Sequence, residues 1–195
     1  IGAKAFMNCL SLATFTIPDS VKKIEGSAFR ATPLSTINIP ASVETIGDRV
    51  FYSCTQMLNF TVDSGSSHFK IIADALYKIN YDDNNLPTST LTLMQYPIAD
   101  SNSYFTVPNE VTIINNAACY QCNNLQLIMF NYGSSIVEIE GSAFGKCDNL
   151  LKVYFLNNVP KLESTTVFTI TNDQTVNPNL NAYYHGTIPP DENGI

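Results

Sequence analysis

One motif recurs along this chain with a spacing of a little over twenty residues, and that spacing decides how the chain can fold. An apolar residue is followed, after four intervening positions, by Phe, often with Ala just before it. The copies are Ile1…Ala5-Phe6, Ile24…Ala28-Phe29, Ile46…Val50-Phe51 and Ile139…Ala143-Phe144. Weaker copies are Ile71…Ala75-Leu76 and Ile114…Ala118-Cys119, and Val167-Phe168 closes the series. The anchors 6, 29, 51, 76, 119, 144 and 168 are separated by 23, 22, 25, 43, 25 and 24 residues. The long interval spans two periods, which places a shortened copy between 76 and 119. A unit of this size cannot bury its own apolar face, so stacked copies must share one continuous core.

A second element keeps phase with the first. It reads L-x-x-[apolar]-x-[apolar], often followed by Pro. Its copies are Leu12-x-x-Phe15-x-Ile17-Pro18, Leu34-x-x-Ile37-x-Ile39-Pro40, Met57-x-x-Phe60-x-Val62, Leu91-x-x-Met94-x-Tyr96-Pro97, Leu125-x-x-Ile128-x-Phe130 and Leu150-x-x-Val153-x-Phe155. A shorter form, Phe105-x-Val107-Pro108, follows Pro97 by 11 residues and locates the shortened copy. Alternation with period two predicts a short strand with one buried face. Proline then stops ladder pairing, because it has no N–H to donate.

Periods of 22 to 25 residues fall in the leucine-rich repeat range. The expected fold is a repeat solenoid, a β-rich right-handed superhelix with one short strand per turn. Short extended or 3-10 segments around I-x-x-x-A-F should close each turn on the convex side, with the Phe at its centre. Burying one Phe is worth roughly 1.5–3 kcal/mol. Gly2, Gly26, Gly47 and Gly141 lie near the Ile, where a sharp corner would need a permissive residue. Residues 1–168 are assigned to the array, as about seven to eight turns with the degenerate copy near 76–118. Residues 169–195 are assigned to a C-terminal cap and linker, with Asn179–Tyr184 as a final strand and Pro189–Gly194 as the linker. The chain starts inside a repeat at Ile1, with no signal peptide visible, and is read as part of a longer protein.

The string from Ile39-Pro40 through Val43, Ile46-Gly47, Val50-Phe51 and Cys54 resembles the BspA-like leucine-rich repeat family, whose pattern is IP-x-x-V-x-x-IG-x-x-AF-x-x-C-x-x-L. Ile17-Pro18 through Ile24 and Ala28-Phe29 match it again, and the resemblance covers roughly residues 1–168. Cys119 departs from the pattern by standing where Phe is expected. Such proteins occur on anaerobic bacteria and parasitic protists, and some engage matrix proteins or other cells. The resemblance therefore implies a cell-surface or secreted location.

Candidate chemistry is sparse. Ten basic against seventeen acidic residues give a net charge of -7, which argues against a nucleic-acid partner. Apolar runs are too short for membrane insertion, and two histidines exclude a His-rich metal site. Cys119-Tyr120-Gln121-Cys122 has the form of a redox or zinc motif. Its phase explains it otherwise: Cys9, Cys54, Cys122 and Cys147 each lie three residues after the Phe position. All five thiols are expected to point inward as small apolar residues, although Cys122 and Cys147 are close enough in phase for a bridge between turns. His68 and His185 belong to different turns. Asp82-Asp83-Asn84-Asn85 is read as a polar turn between apolar segments rather than a calcium loop, and Glu138 and Glu140 as a solvated pair. No catalytic residue, cofactor or metal is assigned. Asn59-Phe60-Thr61 is the one N-x-S/T sequon, at an outward strand position.

The residues between the strand anchors face outward, where solenoids bind their partners. In the first half these are small and polar, including Thr16, Thr36 and Asn38. In the second half they are apolar or aromatic, and Lys152 is the only charge. Leu93, Tyr104, Leu127, Met129, Leu151 and Tyr154 are the candidate protein-binding residues of the concave face. The expected function is a non-enzymatic adhesion or recognition module for a matrix or cell-surface protein. The alternative is an intracellular scaffold, which free thiols would suit. The sequence fixes neither the ligand nor the oligomeric state.

Overall fold

From Lys23 onward the period-two segments and the Ile-centred segments both become strands, so a full turn contributes two, while Leu12–Ile17 forms none. The computed structural model describes residues 1–157, 159–164, 166–169 and 178–184. In chain order its strands are β1 (Lys23–Ile24), β2 (Thr36–Ile39), β3 (Thr45–Ile46), β4 (Asn59–Val62), β5 (Phe69–Ile72), β6 (Ala75–Tyr81), β7 (Pro87–Gln95), β8 (Tyr104–Val107), β9 (Val111–Ile114), β10 (Leu127–Phe130), β11 (Glu138–Ile139), β12 (Lys152–Phe155), β13 (Lys161–Leu162) and β14 (Asn181–Tyr184). There is no helix among the described residues. A front sheet is built from β2 beside β4, and from β8, β10, β12 and β14 in order. It is the sheet the sequence places on the concave side. A rear sheet holds β1 beside β3, then β5, β6, β7, β9, β11 and β13. The closing segments, expected as short extended or 3-10 stretches, are thus hydrogen-bonded strands in their own right.

All pairings are parallel except the β5–β6–β7 meander. Phe105, Ile128 and Val153 stand in register on the inward side of the front sheet and are at most 4% exposed. A column of rings runs through the turns: Phe6 stacks on Phe29 at 5.2 Å, and Phe29 on Phe51 at 5.8 Å. At the other end Phe144 stacks on Phe168 at 5.4 Å. Ala28 and Ala143, just before Phe29 and Phe144, are fully buried, leaving room for this stacking.

Each corner is shaped by two residues in the left-handed region, placed two before and two after the Phe position. They are Lys4 and Asn8, Ser27 and Ala31, Arg49 and Ser53, Ala117 and Gln121, and Ser142 and Lys146, with φ between 54° and 63°. None is glycine. The conformation costs a non-glycine residue on the order of 1 kcal/mol or more. It turns their N–H groups toward the next turn. Lys4, Phe6 and Asn8 donate to the carbonyls of Gly26, Ala28 and Arg30. Ser27, Phe29 and Ala31 donate to Asp48, Val50 and Tyr52, and Ala117, Cys119 and Gln121 to Gly141, Ala143 and Gly145. The glycines near the Ile do not supply the corner, since Gly65 is the only described glycine with positive φ. Gly47 has a different reason: a Cβ there would sit 2.7 Å from the backbone N of Gly26, so it permits close approach of turns.

The shortened copy expected between 76 and 119 is centred on Tyr96, and the copy expected at Leu76 is not a corner. Tyr96 donates its N–H to Ala118 O, as Cys119 does to Ala143 O, and so occupies the Phe position. No left-handed pair flanks it. Residues 63–95 leave the repeat to form the meander, and Leu76 is a buried residue of β6. The apolar interior divides here into two clusters, one from Ile17 to Leu76 and one from Ala75 to Val167. Across the break the corner of Phe51 faces that of Cys119 through side chains. Arg49 Nε donates to Asn116 Oδ1 at 2.6 Å, Ser53 Oγ to Gln121 Oε1 at 2.8 Å, and Tyr52 stacks on Tyr120 at 4.4 Å.

Carboxylates after the rear strands reach back one turn. Glu25, Glu140 and Glu163 accept from the N–H groups of Ala3, Asn116 and Gly141. Glu140 is therefore a structural acceptor rather than half of a solvated pair. Burial raises its carboxyl above the usual range; the Asn116 N–H opposes this, while the charges of Glu163, Asp48 and Glu138 add to it.

Three stability outcomes are expected. Phe29→Ala should cost roughly 3–5 kcal/mol in urea unfolding, because the ring is fully buried between two others. Tyr77→Phe should stabilise by about 1 kcal/mol, since the Tyr77 hydroxyl is buried with no hydrogen-bond partner. For Glu140 the raised folded pKa means its favourable contribution is complete below about pH 4.5 and is lost as pH rises through the folded value. Glu140→Gln keeps an acceptor for Asn116, so it should gain roughly 0.3–0.5 kcal/mol over the parent at pH 7 and nothing at pH 4. Equal differences at both pH values would refute the assignment.

Candidate functional site

Outward side chains of the front sheet fall into two columns set by the strand register. The first holds Tyr104, Leu127, Lys152 and Asn181, and the second Thr106, Met129, Tyr154 and Tyr183. Tyr104 is 63% exposed. Leu127, Met129 and Tyr154 are half-buried by one another across the ladder, and Tyr154 stacks on Tyr183 at 4.8 Å. Leu151, just before β12, is exposed. Four of the six candidate residues are thus gathered on one face, with Leu151 exposed at the start of β12.

The sixth is not. Leu93, with Thr92 and Gln95, lies on β7 in the rear sheet and is buried. Its register explains why: Leu93 pairs with Ile114, the inward Ile of a closing strand. Gln95 instead gives its amide to the carbonyls of Tyr96 and Ala118. The L-x-x-M-x-Y pattern at 91–96 is the same as that of a front strand. Only the corner position of Tyr96 separates the two readings. Tyr183 was missed in turn, although Ala182 and Tyr184 continue the inward alternation of Val153 and Phe155.

The first half of the front sheet is polar. Asn38 Nδ2 donates to Asp63 Oδ1 and Thr61 Oγ to Asn38 Oδ1, both at 2.8 Å. Asn59 is half-buried beside Thr36. Between the halves β4 and β8 do not pair, and beside β8 lies a cavity of about 200 Å³, lined by Ala73, Tyr96, Asn102, Tyr104, Phe105 and Thr106. Tyr96 donates its hydroxyl to Asp100, which also accepts from Asn102. Burial, and then that carboxylate, push the Tyr96 phenol well above its usual range.

The thiols serve packing. Cys54 Sγ donates to Phe29 O at 3.1 Å and Cys147 Sγ to Cys119 O at 3.0 Å, each reaching the Phe-position carbonyl of the preceding turn. All five are free, and burial raises Cys54, Cys119, Cys122 and Cys147 above the usual thiol range, which disfavours the nucleophilic thiolate. Cys9 departs from the inward placement: it is exposed, in a turn packed on one side only. Among the described residues no group of three or more His, Cys, Asp or Glu side chains is placed to hold a metal ion. The Asp82 turn is closed by its own carboxylate, which accepts from the N–H groups of Asn84 and Leu86. His68 lies against Tyr81 at 5.4 Å, and His185 lies outside the described residues. No described helix is long and apolar enough to cross a membrane.

Comparison with known proteins agrees with this architecture. The solved leucine-rich cell surface protein of Faecalibacterium prausnitzii is 23% identical with a TM-score of 0.59, over 96% of this chain and 57% of that one. The pneumococcal vaccine antigen PcpA is 20% identical with a TM-score of 0.71, over 96% and 49%. A leucine-rich repeat protein of Eubacterium ventriosum is 20% identical with a TM-score of 0.61, over 85% and 46%. The chain therefore spans about half the length of these structures, and the likeness is one of fold. No curated protein matches it. The model of the BspA type leucine-rich repeat region matches six copies over residues 1–104 and 97–186, and the chain belongs to that family.

Proposed function

We propose that this chain is a non-enzymatic recognition module that binds a protein through the second half of the front sheet, at the cell surface or in secreted form. The observation that carries the reading is the outward apolar column set of β8, β10 and β12. Tyr104, Leu127, Met129 and Tyr154 stand on adjacent strands with one charge among them, Lys152, and Leu151 lies exposed just before β12. Strand faces that only meet water usually alternate to polar residues. Aromatic and Met side chains on a rigid ladder have little conformational freedom left to lose, which favours their use as anchors. The polar, mutually hydrogen-bonded face of β2 and β4 is suited to the rim rather than the centre. Two of the solved relatives are described as a cell surface protein and a vaccine antigen, which supports the location. In that setting Asn59 is the residue open to N-glycosylation, and a glycan there would stand on the polar half, clear of the apolar columns. The second reading, an intracellular scaffold, draws on the five free thiols.

Leu127→Glu with Met129→Glu is the decisive substitution. Binding of the purified chain to a panel of matrix proteins and intact cells should be saturable, and at least about thirtyfold weaker in the double variant, as loss of a 2 kcal/mol anchor requires. Thermal unfolding of the variant should stay within a few degrees of the parent, since both positions are half-exposed. Undiminished binding by the variant would remove the front sheet from the interaction.

A further inference from the structure

The chain contains two arginines in 195 residues, Arg30 and Arg49. Both lie against the same aromatic ring. The Arg30 guanidinium sits 4.7 Å from the centre of the Tyr52 ring, and that of Arg49 sits 5.7 Å from it. Tyr52 in turn stacks on Tyr120 at 4.4 Å across the break in the array. The corner thus presents two guanidinium groups against one ring, which stacks in turn on a second.

Neither arginine has a carboxylate within ion-pair distance among the described residues. Three of the eight lysines do, in a protein of net charge -7. Arg49 gives its Nε to Asn116 Oδ1, and this neutral bond leaves its charge uncompensated. Over the ring, Arg30 keeps its guanidinium N–H groups for a planar acceptor, and Arg49 keeps those of its two Nη atoms. Burial, with the neighbouring Tyr120 hydroxyl second, raises the Tyr52 phenol to about 12, against the pull of both arginines. Tyr52 therefore stays neutral at physiological pH and does not supply the missing negative charge.

We propose that Arg30, Tyr52 and Arg49 form a carboxylate-binding site on the corner face, distinct from the front sheet, that takes an acidic side chain of a protein partner. A carboxylate fits the planar fork of a guanidinium with two parallel hydrogen bonds. The stacked Tyr52 and Tyr120 rings offer apolar contact to the peptide that carries it. A densely sulfated glycan is disfavoured, because the net charge of -7 repels a long polyanion more than a local acidic group.

The test is an NMR titration of the ¹⁵N-labelled chain with the peptide Gly-Ser-Glu-Glu-Ser-Gly, following the Nε–Hε signals of Arg30 and Arg49. Both signals should shift saturably, and the Gln-Gln peptide should leave them in place. Affinity should fall at least about tenfold at 1 M NaCl, where the Debye length is about 3 Å. Arg30→Gln should weaken binding at least tenfold. Arg30→Lys, which keeps the charge and the fold but not the fork, should weaken it severalfold. Unmoved signals, equal shifts with the Gln-Gln peptide, or equal affinity of Arg30→Lys would overturn the proposal. Shifts produced by a heparin hexasaccharide but not by the acidic peptide would overturn the choice of partner in favour of a sulfated one.

Discussion

The rest of the structure depends on the three-rung ladder between successive corners. Where full corners adjoin, from Phe6 to Phe29, from Phe29 to Phe51 and from Cys119 to Phe144, the N–H groups at, two before and two after the Phe position donate to carbonyls of the next turn. Two of the three donors come from left-handed residues that are not glycine. Backbone strain of this kind persists only where the surroundings over-determine it. Here the surroundings are the Phe between the two strained residues and the identical corner one turn on. The ring is buried only if the turns stack closely, and they stack closely only if the strained N–H groups point across. Hydrogen bonding and burial therefore fail together, which is why a single turn has no stability of its own.

That coupling explains what the sequence revealed and what it concealed. The Phe spacing and the L-x-x-I-x-I pattern both report inward side chains, so the solenoid and the register of β8, β10 and β12 were legible. The left-handed positions carry Lys, Asn, Ser, Ala, Arg and Gln, and no shared chemistry marks them. Glycine was the wrong signal because what the corner uses is the backbone direction, not a missing Cβ. Where the chain skips a corner, the apolar pattern misleads. Ala75-Leu76 has the form of a corner yet lies in β6, and Tyr96 lacks the Ala-Phe form yet occupies the anchor.

The same shift carried Leu93 into the core while leaving the other five candidate residues outside. A leucine on a strand between apolar neighbours faces in or out according to which sheet it joins, and pairing with Ile114 is a long-range fact. Tyr104, Leu127, Met129 and Tyr154 were legible because Phe105, Ile128 and Val153 fix their parity within one strand. The site beside Tyr52 was not legible at all. Arg30 and Arg49 are 19 residues apart in the sequence and Tyr120 is 68 beyond Tyr52. They meet only because the skipped corner lets the turn of Phe51 face that of Cys119 directly.

The thiols bear on where such a chain can work. Four of the five cysteines are buried, and two of them donate to the carbonyl at the Phe position of the turn before. Thr32, which fills the same place in the second turn, donates its hydroxyl to Phe29 O. The acceptors differ, since Phe29 belongs to the turn of Thr32 itself, and what the thiol and the hydroxyl share is a small buried side chain with a donor. Burial keeps Cys119, Cys122 and Cys147 protonated, and disulfide exchange runs through an accessible thiolate. Burial therefore weakens the support that the thiols give to an intracellular scaffold, and Cys9, the one exposed thiol, is the cysteine whose oxidation state the compartment would set.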